Sequence, residues 1–135
     1  MMDLSAEELK RYSRQMKLKG FGAEGQTRLK NAHVLVIGAG GLGSPVLLYL
    51  ASTGVGHITV LDNDTVDISN LQRQVIHTTE DLDRPKVQSA KEKMLSINPL
   101  IDVRVVEKRA SQANLKAFVE ESDFVLECTD SFATK

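Results

Sequence analysis

Glycines in this sequence have a spacing that is typical of phosphate recognition. Gly38, Gly40 and Gly43 form the pattern Gly-x-Gly-x-x-Gly directly after an apolar run. Between a strand and a helix, this pattern makes a tight turn, lets a ligand approach the backbone and points free helix amides at an anion. The sequence therefore predicts an anion site at this turn. A glycine-rich turn without a ligand is the alternative interpretation.

An acidic residue follows at the distance that a ribose-binding carboxylate requires. Asp62 ends a predicted strand about nineteen residues after Gly43, where a carboxylate accepts hydrogen bonds from ribose hydroxyls. A solvent-exposed loop carboxylate is the alternative, and with Asp64 and Asp67 it is equally compatible with an acidic turn. Its position favours the ribose role for Asp62.

Two cations and an amide belong to the long polar segment after that strand. Arg73 and Lys86 lie in or beside the segment, and Asn70 precedes Arg73 by about one helical turn. The sequence lacks Gly-x-x-x-x-Gly-Lys-Ser/Thr, which excludes a P-loop. Cations beside a triphosphate stabilise the charge that moves during phosphoryl or nucleotidyl transfer. Because a nicotinamide cofactor needs less positive charge, these residues favour a triphosphate ligand, although a solvated surface charge is the alternative for each cation taken singly.

Few other residues have the spacing of a reactive or metal-binding group. Asp130 closes the last predicted strand, so we expect it to face the same crevice within reach of nucleotide-bound Mg²⁺, or else to cap a helix. Cys128 has the character of a small core residue rather than a nucleophile. As the one cysteine in the sequence, it excludes an internal disulfide framework and a Cys-x-x-Cys zinc site. His33, His57 and His77 show no metal-ligand spacing.

Alternating helices and apolar strands must position these residues. Ser5 and Glu8 form a capping box, which predicts a helix from Ala6 to about Leu18, and a second helix is predicted from about Ala23 to Lys30. The expected fold class is α/β: a Rossmann-like, mostly parallel open sheet with helices on both faces, preceded by two N-terminal helices. Residues 1–135 then form one domain with residues 1–31 as a helical extension. The predicted strands are His33–Ile37, Ile58–Leu61, 103–106 and Phe124–Leu126, and the later helices follow the glycine run, Pro85 and Ser111.

The strand order expected for such a sheet, 3-2-1-4, has a consequence for the fourth strand. With the sequence ending at Lys135, Phe124–Leu126 is left as an exposed apolar edge. We expect either that another chain covers this edge or that the sequence is a fragment truncated after the fourth strand.

Composition excludes several classes of protein. Seventeen Lys and Arg against eighteen Asp and Glu give a net charge of -1, and 41% of the residues are apolar. This balance gives no general attraction to nucleic acid or anionic membrane. The apolar stretches are far shorter than the ~20 residues of a transmembrane helix, and the acidic N-terminus differs from a signal peptide. We therefore expect a cytoplasmic protein without a nucleic-acid or membrane partner.

Five segments of the sequence together match one known family: Arg11–Gln15, Gly38–Pro45, Asp62–Gln74, Asp83–Lys86 and Cys128–Asp130. They resemble the adenylation domain of the ubiquitin-activating enzyme superfamily, in its bacterial branch of ThiF, MoeB and HesA proteins. The resemblance extends over nearly the whole chain. Within that branch, Gly43–Pro45 and Thr78–Lys86 are closer to ThiF.

The resemblance implies an ATP- and Mg²⁺-dependent nucleotidyltransferase. Its substrate would be the C-terminal glycine carboxylate of a ubiquitin-like sulfur carrier protein, either ThiS-like for thiamine synthesis or MoaD-like for molybdopterin synthesis. Arg14 matches an arginine that the family supplies from the other subunit of a homodimer, and Asp130 matches its magnesium ligand. The other matches contact the nucleotide: the backbone near Gly41 with Asn70, Arg73 and Lys86 at the phosphates, and Asp62 at the ribose.

The sequence also departs from the family. The carrier-binding C-terminal half, the four-cysteine zinc site and the sulfur-handling cysteine have no counterpart among these residues. Two further functions are therefore kept as alternatives. One is an NAD-dependent oxidoreductase, which the glycine run and Asp62 permit, and the other is a non-catalytic module that dimerises or binds a carrier.

Overall fold

The computed structural model describes residues 4–129, which form six α-helices and four β-strands. No helix in this part of the chain is long and apolar enough to cross a membrane. In chain order the elements are α1 Ala6–Arg11, α2 Ser13–Met16, α3 Gly22–Asn31, β1 His33–Ile37, α4 Gly43–Thr53, β2 His57–Leu61, α5 Lys86–Ile97, β3 Asp102–Val106, α6 Gln112–Glu121 and β4 Phe124–Glu127.

The four strands form one open sheet in the order β3-β2-β1-β4. Every neighbouring pair is parallel, with Val34 opposite Ile58 on one side and Phe124 on the other. Since parallel strands run in one direction, their carboxyl ends meet at one edge of the sheet. The predicted fold class and strand order are confirmed.

Helices cover both faces of the sheet, which explains the continuous apolar character of β1. Val34 and Val36 pack into a core cluster with residues of α4 and α5, such as Leu47 and Met94. The alternate positions on β1 point to the other face, where Leu35 lies in a second cluster that includes side chains of α6. A strand buried on both faces cannot alternate apolar with polar residues.

The N-terminal segment contains one helix more than predicted. The capping box is present, because the Glu8 amide donates to Ser5 Oγ at 3.1 Å and the Ser5 amide donates to Glu8 Oε1 at 2.8 Å. The prediction of one helix from Ala6 to about Leu18 is wrong, since the backbone leaves the helical region at Tyr12, with φ −102° and ψ 8°. The Tyr12 side chain is buried, and its hydroxyl accepts a hydrogen bond from Asn98 Nδ2 at 2.7 Å. This tertiary contact accompanies the break between α1 and α2.

The outer edge of β4 has no neighbouring strand within residues 4–129. Phe124 is 64% exposed and Val125 is 39% exposed. The prediction of an exposed apolar edge is therefore confirmed.

Candidate functional site

The glycine-rich turn between β1 and α4 requires glycine for two different reasons. Gly38 has φ +103°, in the left-handed region that side-chain-bearing residues rarely adopt. A Cβ on Gly43 would lie 2.0 Å from the Gly38 carbonyl oxygen, so any side chain there would open the turn. The Ser44 amide and hydroxyl close the turn by donating to the Gly40 carbonyl at 2.9 and 2.6 Å.

This turn leaves backbone amides free at the N-terminus of α4. Leu42, the residue that caps α4, makes no side-chain capping hydrogen bond. The amides of Gly41, Leu42 and Gly43 donate to no acceptor within the part of the chain that the structure describes. Unpaired amides and the helix dipole together favour an anion at this point.

A cleft of about 660 Å³ opens at the carboxyl edge of the sheet, a volume within the range of small-molecule sites. The predicted residues that line it include Gly38, Gly40, Gly41, Asp62, Asn70, Arg73 and Lys86. Gly43 instead lies buried beneath the turn.

Asp62 links the end of β2 to the glycine turn. Its Oδ2 accepts from the Ala39 amide and its Oδ1 from the Asp64 amide, both at 2.8 Å. The side chain is half-buried and lines the cleft. Each carboxylate oxygen has more than one acceptor site, so Asp62 is held in place and can still accept from hydroxyl groups of a ligand.

The polar segment after β2 forms the predicted helical turn around Asn70. A 3₁₀ turn spans Ile68–Asn70, and the amides of Arg73 and Gln74 then donate to the Asn70 carbonyl at 3.2 and 2.9 Å. Arg73 Nη1 donates to the Ser69 carbonyl at 3.1 Å, while the side chain as a whole is exposed beside Gly41. Its guanidinium carries further N–H donors that can contact a ligand in the cleft.

Lys86 is the first residue of α5, and its side chain lies close to the turn that carries the predicted anion site. It is only 6% exposed, and its Nζ lies 3.9 Å from Asp64 Oδ2, too far for a direct hydrogen bond. A buried charge is costly unless it is paired. Lys86 therefore has only a loose ion pair, and an anion closer to its ammonium group would stabilise the charge.

Two further cations of the cleft were not predicted from the sequence. Lys108 and Arg109, in the segment between β3 and α6, line it together with the predicted residues. Among residues 4–129, the cleft is thus lined by four cationic side chains and two carboxylates, Asp62 and Asp64. Their position after β3 is the signal that identifies them, since every strand of a parallel sheet delivers its following loop to the same edge.

Arg14 is a predicted site residue that the structure places away from the cleft. Asp130 lies outside the described residues. Arg14 lies on α2, is exposed and does not line the cleft. The adjacent Gln15 donates to the Thr53 carbonyl at 2.8 Å, at the C-terminal end of α4. The eleven residues of α4 span about 16 Å, so Arg14 lies at the far end of the helix from the glycine turn.

Two buried polar residues next to the cleft were also missed. Gln74 is 4% exposed and lines the cleft, and its Oε1 has no hydrogen-bond partner within the described chain. His77 is equally buried, with Nε2 at 2.8 Å from the Ala39 carbonyl oxygen and Nδ1 at 2.7 Å from Ser89 Oγ. No spacing in the sequence reveals His77, because its partners are distant in the chain.

Cys128 behaves as the core residue that its position predicted. It is half-buried and packs against the apolar cluster beneath the sheet. Burial, together with the neighbouring Glu127, raises the pKa of its thiol. A raised pKa keeps the thiol protonated and poorly nucleophilic.

Several known proteins are similar to this chain in sequence. The model of the ThiF family matches residues 12–135. The probable adenylyltransferase/sulfurtransferase MoeZ of Mycobacterium tuberculosis is 54% identical over 98% of this chain and 34% of its own length. In Escherichia coli, the molybdopterin-synthase adenylyltransferase is 47% identical over 100% of the chain and 54% of its own length, and the ThiS adenylyltransferase is 44% identical over 98% and 53%. The chain thus spans a third to a half of these curated relatives.

Solved structures share the fold. The E. coli tRNA N6-threonylcarbamoyladenosine dehydratase TcdA, crystallised in complex with ATP, superposes with a TM-score of 0.89 and 28% identity, over 96% of this chain and 53% of that one. E. coli MccB, crystallised with ATP, superposes with a TM-score of 0.77 and 32% identity, over 90% of this chain and 38% of that one.

Proposed function

This chain belongs to the ThiF family, and we propose that it transfers the adenylyl group of ATP to the C-terminal carboxylate of a ubiquitin-like sulfur carrier protein. One observation carries the proposal. Free amides of the glycine turn, the fixed carboxylate Asp62 and the cations Arg73 and Lys86 line a single cleft. The similarity to adenylyltransferases and to structures crystallised with ATP supports the same ligand.

The proposed arrangement of ATP follows from the charges in the cleft. The ribose hydroxyls donate to Asp62, whose orientation is fixed by two backbone amides. The triphosphate lies against the amides near Gly41 and between Asn70, Arg73 and Lys86. An anion there would give Lys86 a closer counter-ion than Asp64, whose carboxylate lies 3.9 Å from the buried ammonium group.

The proposed reaction brings two anions together. An oxygen of the carrier carboxylate attacks the α-phosphorus of ATP, the bond from that phosphorus to the bridging oxygen breaks, and pyrophosphate leaves with the electron pair. The product is an acyl adenylate. Fixed cations lower the repulsion between the carboxylate and the phosphates and stabilise the charge that develops on the leaving group.

Mg²⁺ is the metal that this reaction implies. It would neutralise phosphate charge in the bound nucleotide, as it does in nucleotide sites that combine one or two carboxylates with substrate phosphates. We assign Asp130 as its ligand by its position after β4. The residue immediately before it, Thr129, lines the cleft, so the chain enters the site at this point.

We further propose that Arg14 acts on the triphosphate of a partner subunit in a homodimer. The support is its position at the end of α4 remote from the glycine turn. Within residues 4–129, its side chain makes no hydrogen bond or ion pair and is free to contact another molecule.

For the carrier, we propose a ThiS-like protein, with a MoaD-like protein as the alternative. The segments Gly43–Pro45 and Thr78–Lys86 support the first. Overall similarity does not separate the two, because the E. coli relatives are 47% and 44% identical. An NAD-dependent oxidoreductase would leave the cations of the cleft without a role.

The test is ATP–pyrophosphate exchange with Mg²⁺ and a ThiS-like carrier, a MoaD-like carrier or no carrier. We expect exchange only with a carrier, and faster exchange with the ThiS-like one. Arg28→Ala is a matched control, since Arg28 is an exposed cation paired with Glu24 on α3, and it should exchange normally. Absence of exchange with both carriers would contradict adenylation by this chain and leave the non-catalytic module as the better hypothesis.

A further inference from the structure

We propose that His77 is a positioning residue that fixes three phosphate-binding elements of the cleft relative to one another. These elements are the glycine turn, the turn that carries Arg73, and the first turn of α5 with Lys86. The inference rests on the proposed function, because it assigns His77 a role in binding the triphosphate of ATP.

The hydrogen bonds of His77 indicate which ring nitrogen carries the proton when the ring is neutral. Nε2 lies 2.8 Å from the Ala39 carbonyl oxygen, which can only accept, so Nε2 carries a proton. In the neutral ring Nδ1 is then an acceptor, and Ser89 Oγ, 2.7 Å away, donates to it. Both ring nitrogens are used, and the ring is held in one orientation.

Each contact of His77 reaches an element with a proposed phosphate-binding group. Ala39 lies inside the glycine turn, directly before Gly40. Ser89 lies on α5 one helical turn after Lys86, on the same side of the helix. The His77 amide donates to the Gln74 carbonyl at 3.0 Å, which continues the turn that starts at Asn70. His77 is thus the point at which the three elements meet.

The residues before His77 lie over the glycine turn, and the two segments run in opposite directions. The Arg73 side chain lies 3.9 Å from the position of a Cβ on Gly41, and Gln74 Nε2 lies 3.2 Å from that of a Cβ on Gly40. His77 continues this order at Ala39. A shift of His77 would therefore displace the Arg73 side chain along the glycine turn, away from the turn amides beside it.

The surroundings of His77 favour its neutral ring. Burial lowers the pKa of His77 most, and the positive charges of Lys86 and Lys93 on α5 lower it further. The hydrogen bond to Ala39 and the negative charge of Asp81, which lies in the 3₁₀ turn Thr79–Asp81, act in the opposite direction. The net effect is a pKa below the ordinary 6.5, so the ring is neutral at neutral pH.

The test compares ATP with adenosine, which lacks the phosphates, in three proteins: the unchanged chain, His77→Leu and His77→Gln. Dissociation constants come from competition with a fluorescent ATP analogue. We expect His77→Leu to weaken ATP binding about tenfold, the effect of losing a hydrogen bond that holds a ligand group in place, and to weaken adenosine binding much less. His77→Gln should restore most of the ATP affinity, because its amide nitrogen can donate to the Ala39 carbonyl.

Several results would overturn the proposal while leaving the proposed function intact. These are unchanged ATP binding by His77→Leu, an equal loss of ATP and adenosine binding, or no recovery in His77→Gln when its melting temperature matches that of the unchanged chain. An equal loss would identify His77 as a residue that only stabilises the fold. Failure of the unchanged chain to bind ATP would instead contradict the proposed function and this inference together.

Discussion

The polar groups at the two ends of the sheet differ in how completely they are hydrogen-bonded. At the amino end, where α1–α3 dock, polar side chains form hydrogen bonds to other side chains and to the backbone. Asn98 Nδ2 donates to the Tyr12 hydroxyl and to the Ala51 carbonyl, at 2.7 and 2.8 Å. Gln15 and Gln26 both donate to the Thr53 carbonyl, at 2.8 and 3.0 Å. At the carboxyl end, three turn amides and the Gln74 Oε1 lack partners within the described chain. The charge of Lys86 there has only a loose ion pair with Asp64, at 3.9 Å.

This difference separates residues that stabilise the fold from residues that await a ligand. Buried polar groups in folded proteins are nearly always hydrogen-bonded, and the amino end follows that rule. Unpaired groups that share one cleft indicate that a ligand completes them. Substitutions at the two ends should therefore affect different measurements.

The largest effect is expected from Arg73→Ala at the carboxyl end. Loss of a charge that stabilises the transferring phosphates should lower the rate of ATP–pyrophosphate exchange about 100-fold or more. The melting temperature should hardly change, because the side chain is exposed and makes one hydrogen bond to the backbone. Exchange is measured beside Arg28→Ala. An exchange rate equal to that of the control would remove Arg73 from the site.

A smaller effect, on stability instead of activity, is expected from Asn98→Ala at the amino end. The substitution removes two donated hydrogen bonds and leaves the Tyr12 hydroxyl and the Leu100 amide without their partner. We expect a loss of about 2–3 kcal/mol in the free energy of unfolding, measured by urea denaturation. The affinity of the folded variant for Mg-ATP should stay unchanged. A variant as stable as the unchanged chain would show that this network contributes little.

The two ends should also differ in their response to pH. His77 at the carboxyl end has a pKa below 6.5 in the folded chain, so the unfolded chain binds its proton more readily and stability falls as the pH drops below 6.5. Glu8 at the amino end is buried, which raises its pKa, but hydrogen bonds from Lys30 and Ser5 lower the pKa below 4.5 overall. Its stabilising effect is present above pH 4.5 and is lost only below that pH.

Urea denaturation at a series of pH values separates these contributions. We expect a first decline in the free energy of unfolding below pH 6.5 and a second below about pH 4.5. His77→Gln should remove the first decline and keep the second. Persistence of the first decline in that variant would assign it to another group.

The smallest effect is expected from the surface pair of Arg28 and Glu24 on α3. Their side chains are 79% and 80% exposed, and such pairs contribute little because water and salt screen them. Arg28→Ala should change the free energy of unfolding by less than about 0.5 kcal/mol. A larger change would mean that the amino end depends on its surface charges as well as on its buried network.

The sequence predicts the sheet well because each strand is short, apolar and bounded by clear signals. β1 is predicted with its observed bounds, since Gly38 interrupts the apolar run at the residue where the strand ends. The capping box at Ser111 likewise marks the start of α6. These signals are local, because they depend on residues that are neighbours in the sequence and not on tertiary contacts.

Prediction from the sequence fails where the cause of a structural feature lies far along the chain. The break at Tyr12 accompanies its burial and its hydrogen bond to Asn98, and the proposed role of His77 depends on partners at Ala39 and Ser89. Several residues that line the cleft were nevertheless predicted, because Asp62 directly follows β2, Arg73 belongs to the segment that connects β2 to α5, and Lys86 begins α5 at the same edge of the sheet.

The most direct test of the division between the two ends is a thermal melt of the chain with Mg-ATP and, separately, with NAD. A ligand present at 100 times its dissociation constant adds about 2.7 kcal/mol of stability. We predict that Mg-ATP raises the melting temperature of the unchanged chain and of Asn98→Ala by a similar amount, and that NAD at the same concentration does not. Two results would contradict the assignment of the carboxyl end as a triphosphate site: equal stabilisation by NAD and Mg-ATP, or no stabilisation by either ligand.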